Sequence, residues 1–326
     1  MDSVGRSART PKPRLNAELR YMNPMDAKIA DPQLAQQNTG DTGNVQGAIA
    51  SELPVTIIQP TRGWRALHWA ELWHHRELLL FLTWRDIIVR YKQAALGVAW
   101  AVLNPLLTML VYTIIFSHLA KFETENGIPY PVFFYSAMLP WSFFAGAVGR
   151  AGSSLINNAQ LLSKVYFPRL HIPMAAILAG ILDFAISCAV LLVLMCIYHV
   201  WPTWRVLLVP CLLLVMILGA LALGLWVASI SVRYRDAQNL VPMLLQILMF
   251  ASPVIYSQSK IFSPTIRLLY NFNPLVAPLQ AFRWAFAGGM PPTPLSIVAC
   301  AVITLGVLAG GLYYFSRVES TFADMV

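Results

Sequence analysis

Six apolar segments, residues 94–120, 130–149, 174–198, 206–232, 239–257 and 295–315, dominate this chain. Each is long enough for a helix to cross about 30 Å of hydrocarbon. Inside a bilayer no water pairs with backbone N–H and C=O groups, so only helices and closed barrels can satisfy them. Continuous apolar runs of this length select helices. The expected fold class is therefore all-α: an integral membrane protein with six transmembrane helices. Composition agrees, because 57% of the residues are hydrophobic and 12% are charged, against about 25% charged in soluble domains. Prolines interrupt the first segment at Asn104-Pro105, the second at Pro140 and the fifth at Pro242 and Pro253. Neighbouring helices or waters can satisfy the carbonyls they free.

Around these segments the chain divides into four regions. Residues 1–60 are polar, rich in Gln, Asn, Ala and Pro, and without a sustained period, which reads as a disordered cytoplasmic tail. The first twenty residues hold no apolar core of a signal peptide, so this tail is expected to stay in the cytoplasm. Residues 61–93 form an amphipathic region. Leu80, Phe81, Trp84, Ile87, Ile88 and Tyr91 fall on one helical face, with Arg85, Asp86, Arg90 and Lys92 mostly on the other. Asp86 and Arg90 are spaced for an i,i+4 ion pair. A basic amphipathic helix with Trp and Tyr directly before a span suits the membrane interface. Residues 94–316 are the six-helix domain and residues 317–326 a cytoplasmic C-terminal tail. Between the fifth and sixth spans lie two short apolar pieces, 261–272 and 275–287, cut by Pro264, Pro274 and Pro278. Neither can span, so both are expected as short re-entrant or periplasmic helices.

Basic residues set the orientation. With the N-terminus inside, cytoplasmic segments carry Arg85, Arg90, Lys92, Lys164, Arg169, Arg233, Arg235 and Arg317. Outside loops carry Lys121, Arg205, Lys260, Arg267 and Arg283. The bias places both termini in the cytoplasm. The same rule accounts for the net charge of +8 without a nucleic-acid partner.

Little in the chain suggests an enzyme. No paired carboxylates, no HExxH and no GxxxxGK[ST] phosphate loop occur, so any ATP-driven movement needs hydrolysis by another chain. Cys188, Cys196, Cys211 and Cys300 sit singly in apolar runs, as small buried or lipid-facing residues do. Asp183 lies deep in the third span, either as a proton or ion relay or as a structural acid bonded to a neighbouring helix. The stretch from Asn157 to Arg169 begins helical and is stopped before Pro168. It is either a partner-binding helix or a connecting loop. Tyr135, Trp141, Phe143 and Phe144 cluster in the second span, as packing and interface residues or as rings that stack on sugars along a channel. Small-residue pairs at Ala176 and Gly180 and at Gly306 and Gly310 allow close helix contact.

Nine ordered motifs, together with the tail, carry a resemblance. Trp84-Arg85-Asp86-Ile87, Arg90-Tyr91-Lys92, Leu96-Gly97-Val98-Ala99-Trp100 and Asn104-Pro105-Leu106 open the series. Leu139-Pro140-Trp141, Lys164-Val165-Tyr166-Phe167-Pro168-Arg169, Val232-Arg233-Tyr234-Arg235-Asp236, Phe250-Ala251-Ser252-Pro253-Val254-Ile255-Tyr256, Asn273-Pro274-Leu275 and Glu319-Ser320-Thr321-Phe322-Ala323-Asp324 follow. In this order they resemble the ABC-type-2 permeases that export polysaccharide, over residues 78–326.

The resemblance implies the permease subunit of an ABC transporter in the bacterial inner membrane. Two copies would pair with two ATP-binding subunits that hold Mg-ATP, leaving no cofactor in this chain. The cargo would be lipid-linked O-antigen, capsule or teichoic-acid polymer. It also implies site residues. Asn157, Asn158, Leu161, Lys164, Val165, Tyr166, Phe167, Pro168 and Arg169 would couple to the ATPase. Trp84, Arg85, Asp86, Arg90, Tyr91, Lys92, Arg233 and Arg235 would lie at the interface and meet the lipid headgroup. Tyr135, Trp141, Phe143 and Phe144 would line the channel. Two other readings stand beside it: an ABC-type-2 exporter of a drug or small lipid, and a membrane glycosyltransferase, which would need clustered acids.

Overall fold

The computed structural model describes residues 73–92, 98–122, 124–164, 167–234, 236–257 and 264–319. The expected N-terminal tail and residues 320–326 lie outside them, as do Val165, Tyr166 and Arg235. The described residues are helical and contain no strand. Helix α1 is Arg76–Lys92, and α2 is Val98–Tyr112, continued by a π-helical stretch, Thr113–Leu119. Helix α3, Tyr130–Asn157, is followed by the short α4, Ala159–Lys164. Helices α5, His171–Leu178, and α6, Ile181–Ile197, form one apolar path broken at Ala179 and Gly180. Then come α7, Val209–Arg233, α8, Ala237–Phe250, α9, Pro264–Tyr270, α10, Val276–Ala287, and α11, Pro294–Val318.

Local chemistry sets several of these boundaries. Proline occupies the first turn of α3, α7 and α11, where its missing N–H costs nothing. The Thr293 hydroxyl caps α11 by accepting from the Ser296 N–H, as N-cap residues do. Gly288 ends α10 at φ 72°, a left-handed conformation that glycine adopts without Cβ strain.

Helix α3 is the hub. It packs against α7 above all, and also against α2, α5, α6, α8 and α10. In its most apolar window 72% of the residues are buried, against 6% for the α2 span, so α2 lies at the edge of the bundle, with Leu106, Met109 and Tyr112 half-buried against the core. The α3–α7 seam is built from small residues. Ala220, Gly224 and Ala228 recur every fourth position on α7 and are buried. A Cβ at Gly224 would stand 2.8 Å from the Ala151 methyl, and one at Gly152 would stand 2.3 Å from Val227 Cγ1. Small residues at this spacing let two backbones approach closely, which substitutes for the hydrophobic drive that lipid cannot provide. On the far side of α7, the Trp226 indole donates to the Val307 carbonyl at 3.0 Å and stacks on Tyr314. Gly310 and Gly311 make room for that ring, whereas Gly306 faces open space. Only the second glycine of the Gly306/Gly310 pair therefore serves helix contact.

Among the described residues, five helical stretches are long and apolar enough to cross a membrane: Ala99–Leu119, Tyr130–Asn157, His171–Ile197, Trp204–Arg233 and Pro294–Val318. The expected fifth span, 239–257, is helical only through Phe250. Pro253 explains the shortening, because proline disfavours helix in the residue before it. The chain then turns through Ala251–Val254. Its end still reaches the start of α3, where the Tyr130 hydroxyl donates to the Ile255 carbonyl at 3.0 Å.

The two short helices before the last span are present as α9 and α10. Helix α10 does not lie on the surface, because Val276, Leu279, Phe282 and Ala285 are fully buried. Arg283, expected in an outside loop, is 1% exposed. Its guanidinium donates to the carbonyls of Pro253 at 2.7 Å and Val254 at 3.1 Å and lies over the Phe133 ring. Glu125, itself buried, stands 3.9 Å away and accepts from the Ser257 hydroxyl and the Met290 N–H. The turn after α8 frees carbonyls in an apolar setting, and a buried cation answers them.

The small-residue seam leads to a direct expectation. Gly224→Leu should lower the melting temperature of the detergent-purified protein, because overpacking of a close contact costs about 1–3 kcal/mol. Gly306→Leu should leave it unchanged, as scanned by tryptophan fluorescence.

Candidate functional site

Helix α1 is amphipathic in an unusual sense. Leu80, Phe81, Trp84, Ile88 and Val89 are exposed, and Leu82 alone is fully buried. Arg85, Asp86, Arg90 and Tyr91 turn toward the protein. A helix packed on a soluble core does the reverse, while a helix at a bilayer surface offers its apolar side to lipid.

Two polar contacts hold the inner side. Arg85 donates to Asp86 and, at 2.7 Å, to Oδ1 of Asn158. Arg90 and Tyr91 both donate to the Asp183 carboxylate. The expected Asp86–Arg90 pair does not form: Asp86 pairs with Arg85, and Arg90 swings to Asp183. An acid in an apolar span is costly without a cation, so Asp183 takes the guanidinium. Burial, and then the bond to Asp183, push the Tyr91 phenol up to about 12, so it stays a neutral donor near pH 7.

A second guanidinium shares this acid. Arg150 Nη1 lies 4.0 Å from Asp183 Oδ2, and its Nε donates to the Ala176 carbonyl at 3.0 Å. A Cβ at Gly180 would stand 2.0 Å from Arg150 Nη2, and one at Gly146 would stand 2.8 Å from Nη1. The Ala176/Gly180 pair thus admits a side chain rather than a second helix backbone. Asp183 lies in the first turn of α6, where the helix dipole favours an anion.

These groups line a cavity of about 280 Å³. Helix α1 contributes Arg90 and Tyr91, and α2 contributes Trp100, Ala101, Asn104 and Pro105. Ser142, Phe143 and Arg150 come from α3, and Gly180, Asp183 and Ser187 from the α5–α6 path. Pro105 has no N–H, so the Ala101 carbonyl loses its helical partner at this wall. Two guanidiniums against one carboxylate make the cavity net positive. Among the described residues, no group of three or more His, Cys, Asp and Glu could hold a metal ion.

The structure sorts the expected site residues. Tyr135, Trp141, Phe143 and Phe144 are all buried in the main core. They pack within the bundle, as Phe143 does edge-on against Phe184, and only Phe143 reaches the cavity. A turn at Asn158 separates α3 from α4, and Phe167, directly before Pro168, is not helical. Asn157 is exposed at the end of α3, Leu161 packs on a second core cluster, and Phe167 is buried in it. The Pro168 carbonyl bonds His171 Nδ1, and Arg169 donates to the Glu319 carbonyl. Lys92 and Arg233 are exposed, Arg233 over the Tyr234 ring. Of the five cations expected to meet a headgroup, Arg85 and Arg90 have partners inside the chain. Arg150 escaped the sequence reading because it falls one residue past the expected second span. The signal was Asp183 itself, which required a cation nearby.

Residues 77–287 match the family described as ABC-2 type transporter. The chain belongs to that family. It is 33% identical over 257 residues to the O-antigen export system permease protein RfbA of Myxococcus xanthus, covering 78% of this chain and 98% of that protein. A Klebsiella pneumoniae protein of the same description is 27% identical over 77% of this chain and 95% of its own length. The polysialic acid transport protein KpsM of Escherichia coli is 28% identical over 74% of this chain and 93% of its own length. As an ABC-2 permease, the chain is a multi-pass membrane protein and a transport component.

The Asp183 cluster can be tested by stability. Asp183→Ala should lower the detergent melting temperature more than Asp183→Asn, which keeps an acceptor for Tyr91. Arg90→Ala combined with Asp183→Ala should recover part of the loss, because an unpaired charge costs more than an absent pair.

Proposed function

We propose that this chain is the permease subunit that exports lipid-linked polysaccharide, O-antigen foremost, across the bacterial inner membrane. Two copies work with two ATP-binding subunits that hold Mg-ATP, and both termini face the cytoplasm. The observation that carries this reading is the cationic cavity beside an outward apolar helix face. A lipid phosphate needs cationic groups for its head and an apolar surface for its chain. Guanidiniums meet phosphate oxygens with paired, charge-assisted hydrogen bonds. Arg90 and Arg150 supply them within the cavity, with Lys92 and Arg233 exposed at the same end of the bundle. The named relatives, aligned over nearly their whole length, support the polysaccharide cargo.

ATP-driven closure of the partner moves the segment from Asn157 to Arg169, and α4 is the piece it grips. The outward face of α2 and its π-helical continuation, bearing Leu103, Leu107, Leu110, Val111 and Ile114, suits lipid or the second copy. A second reading, export of a drug or small lipid, draws on the cavity's size. About 280 Å³ holds a headgroup or a small molecule but no polymer repeat, so a glycan must pass elsewhere, between copies.

The two readings part in cells lacking this gene. Loss should leave lipid-linked glycan on the cytoplasmic leaflet and none at the surface, as seen by glycan blotting of protease-treated spheroplasts. Normal surface glycan would exclude the polysaccharide cargo. Replacing Arg150 with Ala should cut surface glycan about tenfold, the effect expected from losing one strong charged contact.

A further inference from the structure

Arg90 and Arg150 converge on a single atom. Arg90 Nη1 donates to Asp183 Oδ2, and Arg150 Nη1 stands 4.0 Å from the same oxygen. Two guanidiniums this close repel each other, and the carboxylate they share offsets the repulsion. Arg150 keeps its Nε on the Ala176 carbonyl, so its Nη groups are the ones offered to the cavity. The cluster is not sealed. The Arg90 and Asp183 side chains are 32% and 33% exposed, and both border the cavity. In the Arg283–Glu125 pair the figures are 1% and 5%. The first pair can exchange partners and the second cannot. Losing Arg90 would not leave Asp183 orphaned, because Tyr91 still donates to Oδ1 and the first turn of α6 still faces it.

An open pair of guanidiniums here would meet the wrong ligand first. On the proposed orientation the cavity adjoins the cytoplasmic leaflet, which is rich in anionic lipids. An ordinary anionic phospholipid carries one phosphodiester with one negative charge, and mass action fills a site with whatever is abundant. Exchanging Asp183 for such a lipid swaps one singly charged oxyanion for another. The lipid must be immobilised for that exchange, whereas Asp183 is already in place at a high effective concentration. A diphosphate differs. It brings a second negative charge and enough oxygens to take Arg90 and Arg150 at once. With Asp183 displaced, two cations then meet two negative charges.

We propose that Asp183 is an internal competitor that reserves this cavity for lipid diphosphates and keeps out the singly charged phospholipids of the bilayer. It determines specificity by occupying Arg90 and Arg150 until a more highly charged headgroup displaces it. The inference rests on the reading of the cavity as a lipid-headgroup site.

The test uses the full-length chain in phosphatidylcholine nanodiscs, with phosphatidylglycerol either absent or mixed in. The probe is radiolabelled farnesyl diphosphate esterified to N-acetylglucosamine, and its binding is titrated in both discs. The parent should bind the probe equally well with and without phosphatidylglycerol. Asp183→Asn should bind it about tenfold more tightly in pure phosphatidylcholine, the gain expected from removing one charged competitor. That gain should vanish when phosphatidylglycerol is added, because the variant now accepts the phospholipid as well. Asp183→Glu, which keeps a carboxylate, should discriminate as the parent does. A purely structural role for Asp183 would weaken binding of the probe in both discs alike and leave the preference unmoved. The proposal is overturned if Asp183→Asn binds the probe no more tightly than the parent, or if phosphatidylglycerol competes equally in the two. Should Asp183→Asn fail to fold, the parent decides: loss of probe on adding phosphatidylglycerol overturns the proposal, and unchanged binding upholds it. No binding of the probe to the parent in either disc would instead defeat the headgroup reading itself, and the proposal with it.

Discussion

The close approach of α3 and α7 is the contact from which the rest of this bundle is hung. Helices in lipid gain nothing from leaving water, so association rests on packing and hydrogen bonds between them. Here Ala151 and Gly152 meet Gly224 and Val227 at separations that exclude a further Cβ on either glycine. While α7 carries α11 on its far side, helix α3 also packs against α2, α5, α6, α8 and α10. Its start receives Ile255 through Tyr130, its middle bears Phe143 and Arg150 at the cavity, and its end turns into α4 through Asn158. A hub that shifted would displace all three together.

Charge in an apolar setting is the second constraint, and it is met twice. At the α1 end, Asp183 gathers Arg90, Tyr91 and Arg150. Around the start of α3, Arg283 is fully enclosed and spends its donors on the turn after α8, with Glu125 nearby. The two clusters differ in a way that matters for function. Arg283 has no outlet and acts as a staple. The Asp183 cluster borders a cavity and carries one cation in excess, so an arriving anion can compete for its guanidiniums. The same physics, an ion that must be neutralised where water is scarce, serves rigidity in one place and exchange in the other.

Much was legible beforehand. The apolar runs announced the spans, the prolines between 258 and 292 announced two short helices, and ordered motifs pointed to the transporter family. Periodicity also placed Leu80, Phe81, Trp84, Ile87, Ile88 and Tyr91 on one face of α1; the structure leaves Leu80, Phe81, Trp84 and Ile88 outward but turns Tyr91 onto Asp183. What periodicity could not say is which partners the polar side would choose. Asp86 and Arg90 are correctly spaced for each other, yet Arg90 answers a carboxylate 93 positions away. Tyr135, Trp141 and Phe144 are open in sequence to both a channel and a packing reading, since an aromatic in a span has the same sequence signature in both roles.

The amino-acid sequence alone determined that this chain crosses a membrane as helices, because backbone polar groups in hydrocarbon leave no other arrangement for runs of that length. It also determined that no phosphate loop occurs in the chain. Tertiary structure decided where the ions go. It brought Arg150 onto Asp183 through the space left by Gly146 and Gly180, enclosed Arg283, and joined Arg85 to Asn158. Hydropathy is a property of consecutive residues. Neutralising a charge in a low-dielectric interior depends on distances of a few ångströms between helices far apart in the chain, and only packing sets those distances.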